Sequence, residues 1–330
     1  MLQTLPLVLF IVMTEVSVGS VCVLVLLDWR NEVKRGFLTS YAIIYLVLVG
    51  LTYLFQQNFS TPELLNTYAH LDKTWTGSQS LPLLLFFLFL IPYSFFLLLD
   101  KNAGVDGRER AEKTRAEGKA PRTSVLRLLR LISGAATVLA GLATLFVMAM
   151  IYRPLAGESF GGVFAVVGFF AAAFALGGVL TAMWLGHWYL VTPALSERPL
   201  LFSTTIVLLA ILAQVVFALL GGSMIGTAHV PATSGATNVA TATPPSHSEI
   251  KPAPGQVKPV DAPVVTPLST DAIGWLRILV GFVMPLVLGG LAWKLVRDRS
   301  FQSATGMLYL VVVCTLAGEA MARGLFLVGL

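Results

Sequence analysis

The stretch LPLLLFFLFLIPYSFFLLL, Leu81–Leu99, decides the fold. It runs without a single charged side chain and carries two prolines, Pro82 at its start and Pro92 inside it. A helix rises about 1.5 Å per residue, and roughly 20 apolar residues cross the hydrocarbon core of a bilayer. A segment of this kind reads as one membrane span. Working outward, seven further segments read the same way, at about 5–28, 38–56, 126–152, 160–191, 200–225, 272–295 and 303–328. The whole chain is 330 residues long, 56% hydrophobic and 12% charged, with a mean hydropathy of +0.81. A soluble domain of this length would not be so apolar. A membrane β-barrel would show short alternating segments instead. The expected fold is an all-α, polytopic integral membrane protein of about eight transmembrane helices. Span one (VGSVCVLVLLDW, Val18–Trp29) faintly echoes span five (LGGVLTAMWLGHW, Leu176–Trp188), which would suit two four-helix bundles in parallel orientation.

The net charge of +5 reports topology and not nucleic acid, because the basic residues sit in short connections. Arg30, Lys34 and Arg35 follow span one, a basic stretch extended by Arg127 and Arg130 follows span three, and Lys294, Arg297 and Arg299 follow span seven. Connections of this kind stay on the cytoplasmic side, so both termini are expected outside, in a bacterial-type inner membrane. The N-terminal run has no preceding basic region and is expected to be a retained helix, not a cleaved signal peptide. Three regions follow: a six-helix membrane region over 1–225, a disordered outer linker over 226–271, and two C-terminal spans over 272–330. The linker is rich in Ala, Pro, Thr, Val and Ser and nearly lacks aromatics, so it cannot bury enough apolar surface to fold. The charged loop 100–124 is expected to be mobile or a short surface helix.

Ionisable groups within spans cost about 2.5–3.5 kcal/mol each at a helix centre, which makes them functional pointers. Glu15 lies in span one amid small and hydroxyl residues (TEVSVGS, Thr14–Ser20). Glu319 and Arg323 lie four residues apart in span eight, on one helix face. Either the pair is glue between helices, or it walls a polar cavity such as a quinone pocket or a proton path. Glu15 alone would hold its proton and could pass it on; with a partner it would bond a neighbouring helix or pair with Arg323. His187 and Tyr189 occur near the cytoplasmic end of span five, in WLGHWYLVTPALSERP (Trp184–Pro199), where an aromatic belt is expected. The histidine is either bonded to a carbonyl there, or a quinone ligand, proton relay or haem ligand. Arg277 opens span seven, and His70 lies in an outer loop that matters if a partner docks there.

Of the four histidines only His187 is within a span, so a bis-histidine haem cannot be built from this chain. Cys22 and Cys314 are both in apolar segments without a CxxC spacing, which leaves no disulfide framework and no iron–sulfur motif. Nucleotide-binding, metalloprotease and nucleophile-triad patterns are missing from the sequence as well.

The stretch GEAMARGLF (Gly318–Phe326), the eight spans and the outward termini together resemble the DmsC/NrfD-type membrane anchor subunits of respiratory molybdenum oxidoreductases. The matched positions are Gly318, Glu319 and Arg323. Those proteins carry no haem and exchange electrons between membrane quinones and a partner iron–sulfur subunit. The resemblance implies a quinone as bound substrate, an iron–sulfur or cytochrome subunit as partner within a multi-subunit complex, and a site on the outer side near Glu15, Glu319 and Arg323. Family members often carry a His-Leu-Gly-Ser-Pro type segment after span two; this chain has GHWYLVTP (Gly186–Pro193) after span five instead. His187 would then take another role, such as proton uptake. The expected function is a quinone-interacting subunit, non-autonomous as an oxidoreductase and able to conduct protons. The alternatives are a secondary transporter, favoured by Pro92, Pro285 and recurring Gly-Gly steps, or an anchor or assembly subunit without chemistry.

Overall fold

The computed structural model describes residues 4–116, 125–156, 160–192, 196–220 and 270–329. Among these, eight helical spans are long and apolar enough to cross a membrane, and no strand is present. The protein is a multi-pass, all-α membrane protein. The linker 226–271, with His229 and His247, lies outside the described residues but for its last two.

The spans are α1 (Leu5–Arg30), α2 (Arg35–Phe59), α3 (Ser80–Leu99), α5 (Val125–Tyr152), α6 (Phe160–Val191) and α7 (Arg198–Leu220), with α4 (Gly104–Ala116) a charged surface helix between the third and fourth. The seventh span has three parts: α8 (Thr270–Arg277), a π-helical turn (Ile278–Val283) and α9 (Met284–Arg297). The last is α10 (Phe301–Phe326). Spans alternate in direction, giving a termini face and a basic face that carries the short Lys- and Arg-bearing connections.

Local chemistry sets the ends. Asn31 closes α1 in the left-handed conformation (φ 49°), with its N–H donating to the Asp28 carbonyl, so the chain turns into α2 within four residues. Pro92 does not interrupt α3. The Ser94 hydroxyl donates to the Leu90 carbonyl at 2.8 Å close beside it, a local bond of the kind that steadies a proline-bearing membrane helix. Pro285 enters at the first positions of α9, just after the π-helical turn, where a missing N–H costs little.

Two four-helix groups result. The first holds α1, α2, α3 and α5, and the second holds α6, α7, α8–α9 and α10. They join where α1 packs on α6 and α10. α1 is the most enclosed span, and α6 lies parallel to it. The outer surfaces of the bundle carry exposed Leu139, Leu209, Val313 and similar side chains, which is what contact with lipid demands.

Close crossings make the junction possible. A Cβ on Gly19 of α1 would meet the Ala173 carbonyl oxygen of α6 at 1.8 Å. One on Gly318 of α10 would meet Gly281 Cα, inside the π-helical turn, at 2.2 Å. Small residues let membrane helices approach backbone to backbone where apolar burial offers no driving force.

Candidate functional site: a buried carboxylate–arginine network

At the junction of the two groups three charged side chains meet. The Arg323 Nη2 donates to Glu15 Oε1 across the α1–α10 contact, and Arg323 Nε lies 2.8 Å from Glu319 Oε1 on its own helix. Arg323 and Glu319 are an i,i+4 pair, so one turn of α10 presents both. Glu15 is wholly buried, and Arg323 and Glu319 nearly so. The second face of the guanidinium is covered by the Phe169 ring of α6, 3.8 Å from Cζ to the centroid. A desolvated cation over an aromatic face gains about 2 kcal/mol. Phe169 in turn stacks on Tyr152 of α5 (6.3 Å, 17°) and meets Phe326 edge-on (6.3 Å, 73°).

The packing explains why these groups meet. Gly19, one turn from Glu15, brings α1 onto α6 and hence Glu15 toward Phe169. Gly318, adjacent to Glu319, seats α10 against the π-helical turn. The guanidinium of Arg277, just before that turn, lies 5.5 Å from the Phe282 ring. The network thus combines two carboxylates, from α1 and α10, with one guanidinium lying over a ring of α6. One carboxylate oxygen, Glu15 Oε2, makes no hydrogen bond although it is buried. That leaves an acceptor, or a place for a proton, beside an aromatic wall.

Three of the residues singled out from sequence come together here, Glu15, Glu319 and Arg323, while Arg277 ends α8, which packs on α10. Glu15 is paired, which removes the reading of a lone buried carboxyl. The other three lie elsewhere. His187 is exposed on α6, 18 residues beyond Phe169, or about 27 Å along the helix. Tyr189 is buried, not in a surface belt, and its hydroxyl donates to the Ser196 carbonyl. His70 is exposed in the loop between α2 and α3.

A second buried network was not expected. Arg130 of α5 bonds Asp100, the C-cap of α3, at 2.8 Å and lies 3.3 Å from Asp28 of α1. The Tyr93 hydroxyl donates to the same Asp28 oxygen at 3.3 Å. All four side chains are essentially inaccessible. Arg130 counts in the sequence as part of the basic flank, yet its guanidinium is fully enclosed at the basic face. The signal available was its position inside the predicted span 126–152 opposite two aspartates that also end spans. Between the two networks run hydroxyl pairs, Ser17 with Thr52 and Tyr45 with Thr181, both at 2.9 Å.

Comparison with known proteins returns no match: no family model, no curated protein and no solved structure is similar to this chain.

Proposed function

We propose that the chain is a quinone-interacting, haem-free membrane subunit of a respiratory electron-transfer complex, in which Glu15, Glu319 and Arg323 form the polar side of the quinone site. The observation that carries this reading is the Glu15–Arg323–Glu319 network against Phe169, with Glu15 Oε2 unbonded. An oxygenated aromatic headgroup needs an apolar, ring-lined wall and a few placed polar groups. Phe169, Tyr152 and Phe326 supply the wall, and Glu15 and Arg323 the polar groups. A quinol gives up two electrons and two protons on oxidation. The electrons pass to a partner iron–sulfur or cytochrome subunit. Glu15, released from Arg323, accepts the two protons in turn, passing the first to water at the outer face before it takes the second, while Glu319 balances the charge of Arg323. Lys and Arg on the connections of one face support a cytoplasmic location for that face and an outward one for both termini. On this reading the network lies in the outer half of a bacterial-type inner membrane.

The test is photolabelling of native membranes with an azido-quinone. Label on peptides of α1, α6 or α10, competed away by unlabelled quinone and reduced in Glu15→Gln, is expected. Label spread evenly over lipid-facing helices would overturn the reading. One observation favours a second reading, a purely structural anchor: Arg323 is already engaged by both carboxylates, which ties α1 to α10. In that case Glu15→Gln lowers stability and leaves quinone labelling unaltered.

A further inference from the structure

A third polar region lies at the termini face, separate from the two charged networks. Gln56 and Ser60 occupy successive turns on one face at the end of α2. Gln79 precedes α3, and Tyr152 ends α5. All four are at least 98% buried. The Gln79 amide donates to the Ser60 hydroxyl at 3.3 Å, and the Tyr152 hydroxyl faces the same Ser60. Yet Gln56 Oε1 and Nε2, Gln79 Oε1 and the Tyr152 hydroxyl make no aligned hydrogen bond with protein. Buried amides and hydroxyls are almost always satisfied, by protein or by ordered water. Four orphaned polar atoms, donors and acceptors mixed, around one serine are what a small, two-way hydrogen-bonding ligand requires. Water fits that chemistry better than a charged ligand, because among the described residues no charged side chain bonds to these four.

The same α2 face continues inward. Thr52, one turn below Gln56, pairs with Ser17 of α1. Ser20, one turn beyond Ser17, is buried with an unbonded hydroxyl beside Tyr45, whose own hydroxyl meets Thr181 of α6. From Ser60 to Tyr45 the string covers 15 residues, or about 22 Å of helix. Toward the basic face it ends in rings. Tyr41 lies 4.4 Å from Phe37 and 5.5 Å from Trp184, and Phe37 lies 5.9 Å from Trp188.

We propose that this string is an internal water-binding site, entered from the termini face at Gln56, Ser60, Gln79 and Tyr152 and stopped at the Phe37–Tyr41–Trp184 plug. The bound water lies between the termini face and the middle of the protein. The proposal does not depend on a quinone.

Radiolytic footprinting with H2(18)O tests it, since bound water converted to hydroxyl radical marks the rings that touch it. The purified chain in lipid nanodiscs is irradiated, and oxidation is read at Tyr152 and Tyr45. Phe86 and Phe37, equally buried, serve as controls. Tyr152 and Tyr45 are expected to oxidise several-fold faster than both controls. In the Gln56→Leu, Gln79→Leu double variant Tyr152 is expected to fall to the Phe86 rate, with the wild-type chromatographic profile retained. Equal rates at Tyr152 and Phe86 in the wild type would overturn the water site, whether or not any variant folds. Oxidation of Phe37 as fast as Tyr152 would overturn the plug. Azido-quinone labelling is read separately, so either idea can fail without the other.

Discussion

Arg323 illustrates how a buried charge is held. It has Glu15 on another helix, Glu319 on its own, and the Phe169 ring over one face. Removing one partner of a buried pair leaves an uncompensated charge and costs about 3–5 kcal/mol. Arg323→Leu strands two carboxylates and is expected to destabilise by that order. Adding Glu15→Leu to it should restore part of the loss, because one of the two stranded carboxylates is then gone. A double-mutant cycle on unfolding in mixed micelles measures this coupling; strict additivity would show that Glu15 and Arg323 do not interact in the folded protein. Glu15, Glu319 and Arg323 were legible in the sequence because a charge inside an apolar run is conspicuous. Asp28, Asp100 and Arg130 were not, because each lies within a few residues of a span end, where charges ordinarily face water. Only packing reveals that Arg130 is enclosed. Arg130→Leu is accordingly expected to cost as much as Arg323→Leu, whereas Arg127→Leu, exposed one turn away, should change stability by less than about 0.5 kcal/mol.

Among the helices, the spans themselves were readable to within a few residues, since length and apolarity suffice. Their irregularities were not. Pro92 reads as a break but sits in a continuous helix beside the Ser94–Leu90 bond, and the π-helical turn at Ile278–Val283 has no sequence pattern of its own. That turn matters because Gly281 within it receives Gly318, the residue before Glu319. Gly318→Ala places a methyl 2.2 Å from Gly281 Cα, so the helices must part. Overpacking of this kind costs about 1–3 kcal/mol. The consequence is local: α10 shifts at Glu319, away from the π-helical turn. Gly324→Ala, which meets nothing within 4 Å, is the matched control and should be silent. Loss of azido-quinone labelling in Gly318→Ala with wild-type labelling in Gly324→Ala would tie the crossing to the site. Equal stability of the two variants would disprove the tight crossing.

Across the molecule, connections on the basic face are pinned to one another. Arg299, between α9 and α10, meets Glu197, at the start of α7, at 2.6 Å. Backbone hydrogen bonding first, and then Arg299, hold the Glu197 carboxyl below its usual range. A carboxyl lowered in this way supports the fold above its unfolded value and loses that support as pH falls through its folded value. Hydrogen exchange at the start of α7 is therefore expected to quicken below about pH 4.5, and Arg299→Ala should blunt that dependence. The effect is small, because the pair is open to solvent and screened.

The placement of α1 has a larger consequence. It is the most enclosed span and joins both four-helix groups, while α10, though it packs on α1, leaves more of its surface uncovered. The chain's two cysteines report on these positions: Cys22 is buried in α1, and Cys314 is half-buried on α10. Regions with fewer buried contacts open before the core does. During a titration with sodium dodecyl sulfate, maleimide is expected to modify Cys314 first, as α10 loosens from α9 and α6. Cys22 should react only when the two groups separate, together with the loss of the global unfolding signal. The order can be read by mass spectrometry of the two peptides. Sequence alone placed both thiols in apolar segments and could not rank them, since hydropathy does not distinguish a helix facing lipid from one facing other helices. Modification of Cys22 at or before Cys314 would mean that α1 is not the centre of the bundle, and the network built on Glu15 would then lose its enclosure.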